Sequence, residues 1–212
     1  MLNDIAAYFA DNGNTYLGYV WQHISLSFEA LLIALIIALP LGYFSYEKPF
    51  VRQLSTLLTQ GLRVIPSLGI LFILIPFIGV GRLPALIALV ILGIPPILLN
   101  TIVGFASVSE NLLETALGLG MTRLQLLTKV QFPLALPHIL NGIKLALMAI
   151  IASATIASTI NAGGLGSILF DGLRTMSLPK LLWGIILTVS LSLLVNLILY
   201  LVEELVKNES VS

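Results

Sequence analysis

Five long apolar runs, separated by short polar segments, dominate the chain. A helix that crosses the hydrocarbon core of a bilayer needs about 20 mostly apolar residues. Runs of that kind lie at 24–44, 56–78, 84–106, 138–160 and 181–202. Arg63 and Pro66 interrupt the second run. A helix continued through Pro66 would lose a backbone hydrogen bond, so this span is predicted to break there. The third run carries Pro95-Pro96 at mid-depth and is predicted to kink. Between the third and fourth runs stands one polar island, 107–137, with a helical pattern of its own.

Composition agrees with the pattern. Of 212 residues, 58% are hydrophobic and 9% charged, whereas a soluble domain carries roughly 25% charged residues. The fold class is therefore an all-α integral membrane protein, solvated by membrane lipid, with one transmembrane domain over 1–212 and no internal repeat. The polar N-terminal segment and the tail after Val202 are too short to fold alone. Net charge is zero and there is no basic tract, which argues against nucleic acid as a partner. Without cysteine, neither a disulfide nor a thiolate metal site is expected. The opening MLNDIAAYFADNGNTYLGYV is acidic and lacks the basic-then-apolar order of a cleavable signal.

Five spans put the termini on opposite sides, and Lys/Arg placement chooses between the two orientations. With the N-terminus outside, Lys48, Arg52, Arg63, Arg123, Lys129, Lys144 and Lys207 fall on inner segments and inner helix ends. Arg82, Arg174 and Lys180 fall outside. Seven against three predicts N-out, C-in, and the island then faces the cytoplasm.

The island reads as two short helices joined by an elbow. Ser109 is placed to cap the first, with Leu112, Leu113, Ala116 and Leu117 at helical spacing. Gly118 and Gly120 break it. Thr122 with Gln125 forms a capping-box pattern that starts the second helix. Leu124, Leu127 and Val130 make its apolar stripe, and Pro133 is expected to stop it. Such an elbow either packs under its own transmembrane helices or docks something outside the bilayer.

Polar residues within the spans mark further candidates. Glu29 is costly at depth, by about 2.5–3.5 kcal/mol on insertion scales. It therefore lines a wet translocation path, bonds a neighbouring helix or stays near the headgroups. Asn100 bonds across helices or lines the path, and Arg63 and Lys144 are expected to snorkel. The fourth span ends ASATIASTINAGG, with Ser153, Thr155, Ser158 and Thr159 among alanines that permit close helix approach. Its serines Ser153 and Ser158, with Asn100 and Ser67, are the path candidates. His23 and His138 fall at opposite membrane faces as interfacial residues and cannot share a metal or catalytic site. No GxxxxGK[ST] loop and no G-x-S-x-G elbow is present. The paired repeats of a secondary transporter are also missing.

Glu114, Ala116 and Gly120, followed after nine residues by Val130-Gln131-Phe132-Pro133, resemble the EAA motif of ABC-importer permeases. The departures are Thr115, Val130 and Phe132, while the Glu, Gly and Pro hold their spacing. The resemblance implies a type I importer permease of the bacterial cell membrane, whose elbow is a coupling helix seated in a cytoplasmic ABC ATPase. Glu114, Ala116, Gly120 and Pro133 are then the coupling residues. It also implies ATP and Mg on the ATPase rather than on this chain, a second permease, and an extracytoplasmic substrate-binding protein met by the 162–180 loop. The segments 23–44, 63–81 and 160–172, with IPS, LNT and AGGLG, are similar to the compatible-solute importers of glycine betaine, carnitine and choline. A permease for another small substrate, such as ergothioneine or an amino acid, is the alternative.

Overall fold

The computed structural model describes residues 2–209, with side chains placed over 13–205. The described chain is helical. In order, it contains α1 (Leu2–Glu47), α2 (Pro49–Val64), α3 (Ser67–Ile78), α4 (Arg82–Ala106), α5 (Glu110–Gly118), α6 (Arg123–Leu126), a π-helical turn (Leu127–Gln131), α7 (Phe132–Ala157), α8 (Gly166–Arg174) and α9 (Leu178–Glu209).

The core is α1, α4 and α7, with α4 parallel to α1 and antiparallel to α7. Ala30, Ala34 and Ala38 recur every four residues on α1 and are fully buried. They meet Ala85, Ala88, Leu89 and Ile97 of α4 and Ala146, Ile150 and Ala154 of α7 in one cluster. Alanine at these positions lets the backbones approach closely, which is how helices gain contact where lipid removes the hydrophobic drive. At Gly142 of α7 the approach is tightest against α4: a Cβ there would lie 2.7 Å from the Asn100 Cβ and 2.9 Å from the Pro96 carbonyl. Large apolar side chains such as Ile36, Phe77, Leu193 and Leu197 are turned outward, as a lipid solvent requires.

Four segments are long and apolar enough to cross a membrane: Gly13–Glu47, Arg82–Ala106, Arg123–Ile160 and Leu178–Leu205. A fifth span arises when α2 and α3 count together. These two helices meet at 93°. Ile65 is extended (φ −74°, ψ 121°) ahead of Pro66, as the clash with a proline ring demands. The predicted break is therefore a right-angled corner, and the ordered helix before it starts at Pro49 rather than at residue 56. By contrast, α4 runs through Pro95 and Pro96 without interruption.

Two expectations for the fourth span are corrected. The second elbow helix does not end at Pro133, because α6, the π-helical turn and α7 continue into one another from Arg123 to Ile160. The Phe132 N–H reaches back five residues to the Leu127 carbonyl. That wider turn re-registers the helix just before Pro133, which enters the first turn of α7 where a missing N–H costs nothing. Lys144 does not run free to an interface. Its ammonium pairs with Glu203 of α9 at 3.5 Å and lies over the Tyr200 ring, 6.0 Å from its centre.

Candidate coupling and translocation site

At the elbow, Ser109 holds the N-cap position of α5, but its hydroxyl makes no capping bond. Its backbone carbonyl accepts the Leu112 and Leu113 N–H groups instead. The helix ends in a Schellman pair: Gly120 N–H donates to the Leu117 carbonyl at 2.9 Å, and Met121 N–H to the Ala116 carbonyl at 3.2 Å. This closure needs a left-handed residue at Gly120, where φ is +85°. Glycine adopts that conformation without the steric cost that a Cβ brings. The predicted capping box is present in full, with Thr122 N–H donating to Gln125 Oε1 at 2.9 Å and Gln125 N–H to Thr122 Oγ1 at 3.3 Å. The turn over Leu119–Thr122 is thus held by backbone and cap bonds.

The elbow's faces are distinct. Glu114 is exposed, and nothing lies within 4 Å of the place a Cβ would take on Gly120. Leu117, Leu119 and Leu124 are also exposed, Leu119 at 78%. The expected inward stripe is narrower than the pattern suggested: Ala116 is buried among the chain's own residues, with Leu126 inward from the second helix. Ala116 is therefore on the covered side of the elbow, while Glu114, Gly120 and the leucines are exposed. Pro133 lies beyond the elbow, on the continuous helix.

The path candidates separate into different settings. Asn100 donates to the Pro96 carbonyl at 2.8 Å and accepts from the Asn141 amide at 3.1 Å, which ties α4 to α7. Ser158 is buried, and its hydroxyl donates to the Thr155 carbonyl at 2.8 Å. Ser153 is half-buried on the same helix, and Ser67 is half-buried at the first turn of α3, beside the corner. Glu29 stands at the opposite end of the bundle from the elbow. Its carboxylate accepts from the Arg82 guanidinium at 2.7 Å, both groups being nearly half exposed, and Arg82 also donates to Ser25 Oγ at 3.1 Å. These residues do not converge on one pocket within the chain.

At that same end, sequence reasoning missed a knot. His23 is fully buried within the protein. Its Nδ1 accepts the Leu165 N–H at 3.3 Å, so the ring proton sits on Nε2, which donates to the Ile151 carbonyl at 3.2 Å. The neighbouring Gln22 Oε1 accepts the Gly164 N–H at 3.1 Å. Consecutive side chains of α1 thus hold the consecutive N–H groups of Gly164 and Leu165 at the end of a glycine turn, which carries φ values of +62° at Asn161, +79° at Gly163 and +85° at Gly164. The sequence cue was slight: a histidine immediately before an apolar run. Beyond the turn, α8 packs on α9, and Asp171 pairs with Lys180.

Comparison with known proteins places this arrangement. Residues 30–208 match the family of binding-protein-dependent transport system inner membrane components. The carnitine transport permease protein OpuCB of Listeria monocytogenes is 40% identical over 92% of this chain and 89% of its own. The choline transport system permease protein OpuBB of Bacillus subtilis is 33% identical over 95% and 93%. Among solved structures, an inward-facing MetNI methionine ABC transporter chain superposes with a TM-score of 0.80 at 23% identity, over 90% of this chain and 95% of that one. The helical bundle, the elbow with its glycine closure and the match over most of the chain together show that this protein belongs to the binding-protein-dependent inner-membrane permeases of ABC transporters, as a non-catalytic transport subunit.

Proposed function

We propose that the chain is the permease of an ATP-driven importer for quaternary-amine compatible solutes, of the glycine betaine, carnitine and choline class. Similarity to a carnitine and a choline permease over nearly the full length supports the substrate class. The observation that carries the coupling role is the elbow itself, whose bond-fixed turn presents Glu114, Gly120 and three leucines to whatever lies beyond the membrane. A short apolar helix face rimmed by carboxylates suits a groove on a soluble ATPase subunit, which holds the ATP and Mg. The helix from Arg123 to Ile160 then carries elbow movement into the bundle as a single lever. A second permease, identical or similar, completes the path, and a separate binding protein delivers solute at the glycine-turn end. The 7:3 distribution of Lys and Arg supports N-out, C-in.

Co-purification with an ATPase subunit, and uptake of radiolabelled carnitine or betaine that requires ATP hydrolysis, test the reading. Cysteines placed singly at Ser109 and Thr122 are expected to react with impermeant reagents only after permeabilisation, and one at Ser177 from outside. The chain has no cysteine of its own to confuse the result. The reverse pattern overturns the orientation and the coupling role together.

A further inference from the structure

Two hollows adjoin at the elbow end of the bundle. The deeper is an apolar cavity of about 380 Å³ lined by Leu39, Tyr43, Phe105, Leu127 and Phe132, with Thr101 and Thr128. Its size is within the roughly 300–1,000 Å³ of small-molecule sites. Both hydroxyl protons are already spent: Thr101 donates to the Ile97 carbonyl at 2.7 Å and Thr128 to the Leu124 carbonyl at 2.8 Å. A polar solute finds no donor there, but a hydrocarbon needs none. The aromatic walls do not form an open cage for a cation either, because Tyr43 and Tyr46 pack on Phe105 at 5.0 and 5.7 Å between centres.

The shallower hollow is formed by Tyr46, Glu47, Lys48, Arg123 and Gln131. Glu47 accepts the Tyr43 hydroxyl at 2.7 Å, so its carboxylate is tethered to the wall shared with the cavity. Lys48 and Arg123 are exposed and enter the same hollow from the end of α1 and the start of α6. Leu39 and Lys48 are nine residues apart, about 14 Å along a helix. A cationic hollow at the helix ends with an apolar cavity one to three turns deeper has the layout of a phospholipid: charge at the surface, chain below.

We propose that this chain binds an anionic phospholipid here, with the phosphodiester between Lys48 and Arg123 and an acyl chain in the cavity under Tyr43 and Phe105. Leu127 and Phe132 bracket the π-helical turn, so an acyl chain seated against them braces the joint between elbow and transmembrane helix. Irregular turns of this kind recur at functional positions. The bracing role rests on the coupling reading above, but the binding itself does not.

The test measures lipid retention by native mass spectrometry on the full-length permease, alone and with its ATPase subunits. Vesicles of phosphatidylcholine with or without phosphatidylglycerol supply the lipid. The wild type is expected to retain phosphatidylglycerol about tenfold over phosphatidylcholine. K48Q/R123Q is expected to lose that preference, and Thr128→Trp, which fills the cavity, to lose both lipids. Equal retention of the two lipids by the wild type, or an unchanged preference in both variants, overturns the proposal. So does displacement of the lipid when the ATPase associates, which would assign the hollow to that partner, or displacement by choline. Because the permease is also measured alone, failure to recruit an ATPase leaves the lipid result readable.

Discussion

His23 Nδ1 accepts the Leu165 N–H at 3.3 Å across 142 positions of sequence, and this bond ties the first transmembrane helix to the glycine turn that precedes α8. Both partners are buried, and the ring's other nitrogen serves the Ile151 carbonyl. His23→Ala leaves a buried donor and a buried acceptor unmatched, each costing about 1–3 kcal/mol. The expected outcome is a clear fall in the thermal midpoint of the purified permease. His23→Gln, which keeps one amide donor and one acceptor, is expected to recover part of the loss. An unchanged midpoint for His23→Ala would mean that the knot contributes nothing.

A second test concerns how closely α8 lies against the end of α7. A Cβ on Gly166 would fall 1.9 Å from the Thr155 carbonyl oxygen and 2.3 Å from Ser158 Oγ. Gly166→Ala therefore forces backbone apart from backbone, and little folded protein is expected in the membrane. Gly118→Ala, where nothing lies within 4 Å, is the control. It is expected to fold normally, since alanine favours a helix by about 1 kcal/mol over glycine. Comparable yields of the two variants would show that this crossing relaxes more readily than its geometry implies.

What the sequence made legible follows from the range of each signal. The capping box at Thr122 and Gln125 and the break at Pro66 are local chemistry, decided within four residues, and both form as predicted. The stop expected at Pro133 failed because a π-helical turn five residues long, with no sequence signature, moved the proline into a tolerant position. The surroundings of His23 and Lys144 were missed for another reason. Their partners are distant in the chain, at Ile151, Leu165 and Glu203, and hydropathy alone assigns depth without assigning neighbours. Ala116 was recognisable as a motif residue, but its burial depends on packing that the motif does not encode.

At Gly120 the conformational role and the docking role can be separated. A left-handed backbone costs an ordinary residue about 1–2 kcal/mol, while asparagine tolerates it. Gly120→Asn is therefore expected to keep the Schellman closure while adding bulk on the open face. Gly120→Leu adds both strain and bulk. If a partner seats closely on this face, both variants should lose ATPase co-purification with the permease still folded. If Gly120 serves only its own turn, Gly120→Asn should retain the ATPase and Gly120→Leu should weaken it. Normal coupled transport from Gly120→Leu would remove the elbow from the mechanism.

The path candidates lead to a last prediction, about where selectivity resides. A quaternary ammonium cannot donate a hydrogen bond and keeps its charge at every pH, so passage needs width and weak polar lining more than a tight site. The structure fits that economy: Asn100 is engaged by Pro96 and Asn141, and Ser158 by Thr155. Neither side chain is left poised for a ligand. Alanine at Ser67, Ser153 or Glu29 is expected to lower the maximal uptake rate modestly. Asn100→Ala and Ser158→Ala should also cost stability, about 0.5–1.5 kcal/mol for each hydrogen bond removed. In all five variants the apparent affinity for external substrate should stay within tenfold of wild type, a bound of about 1.4 kcal/mol. Uptake measured across substrate concentration in reconstituted vesicles, with binding protein in excess, checks this directly. A larger shift at any one position would establish a substrate site on the membrane subunit itself and move part of the selectivity from the binding protein to this chain.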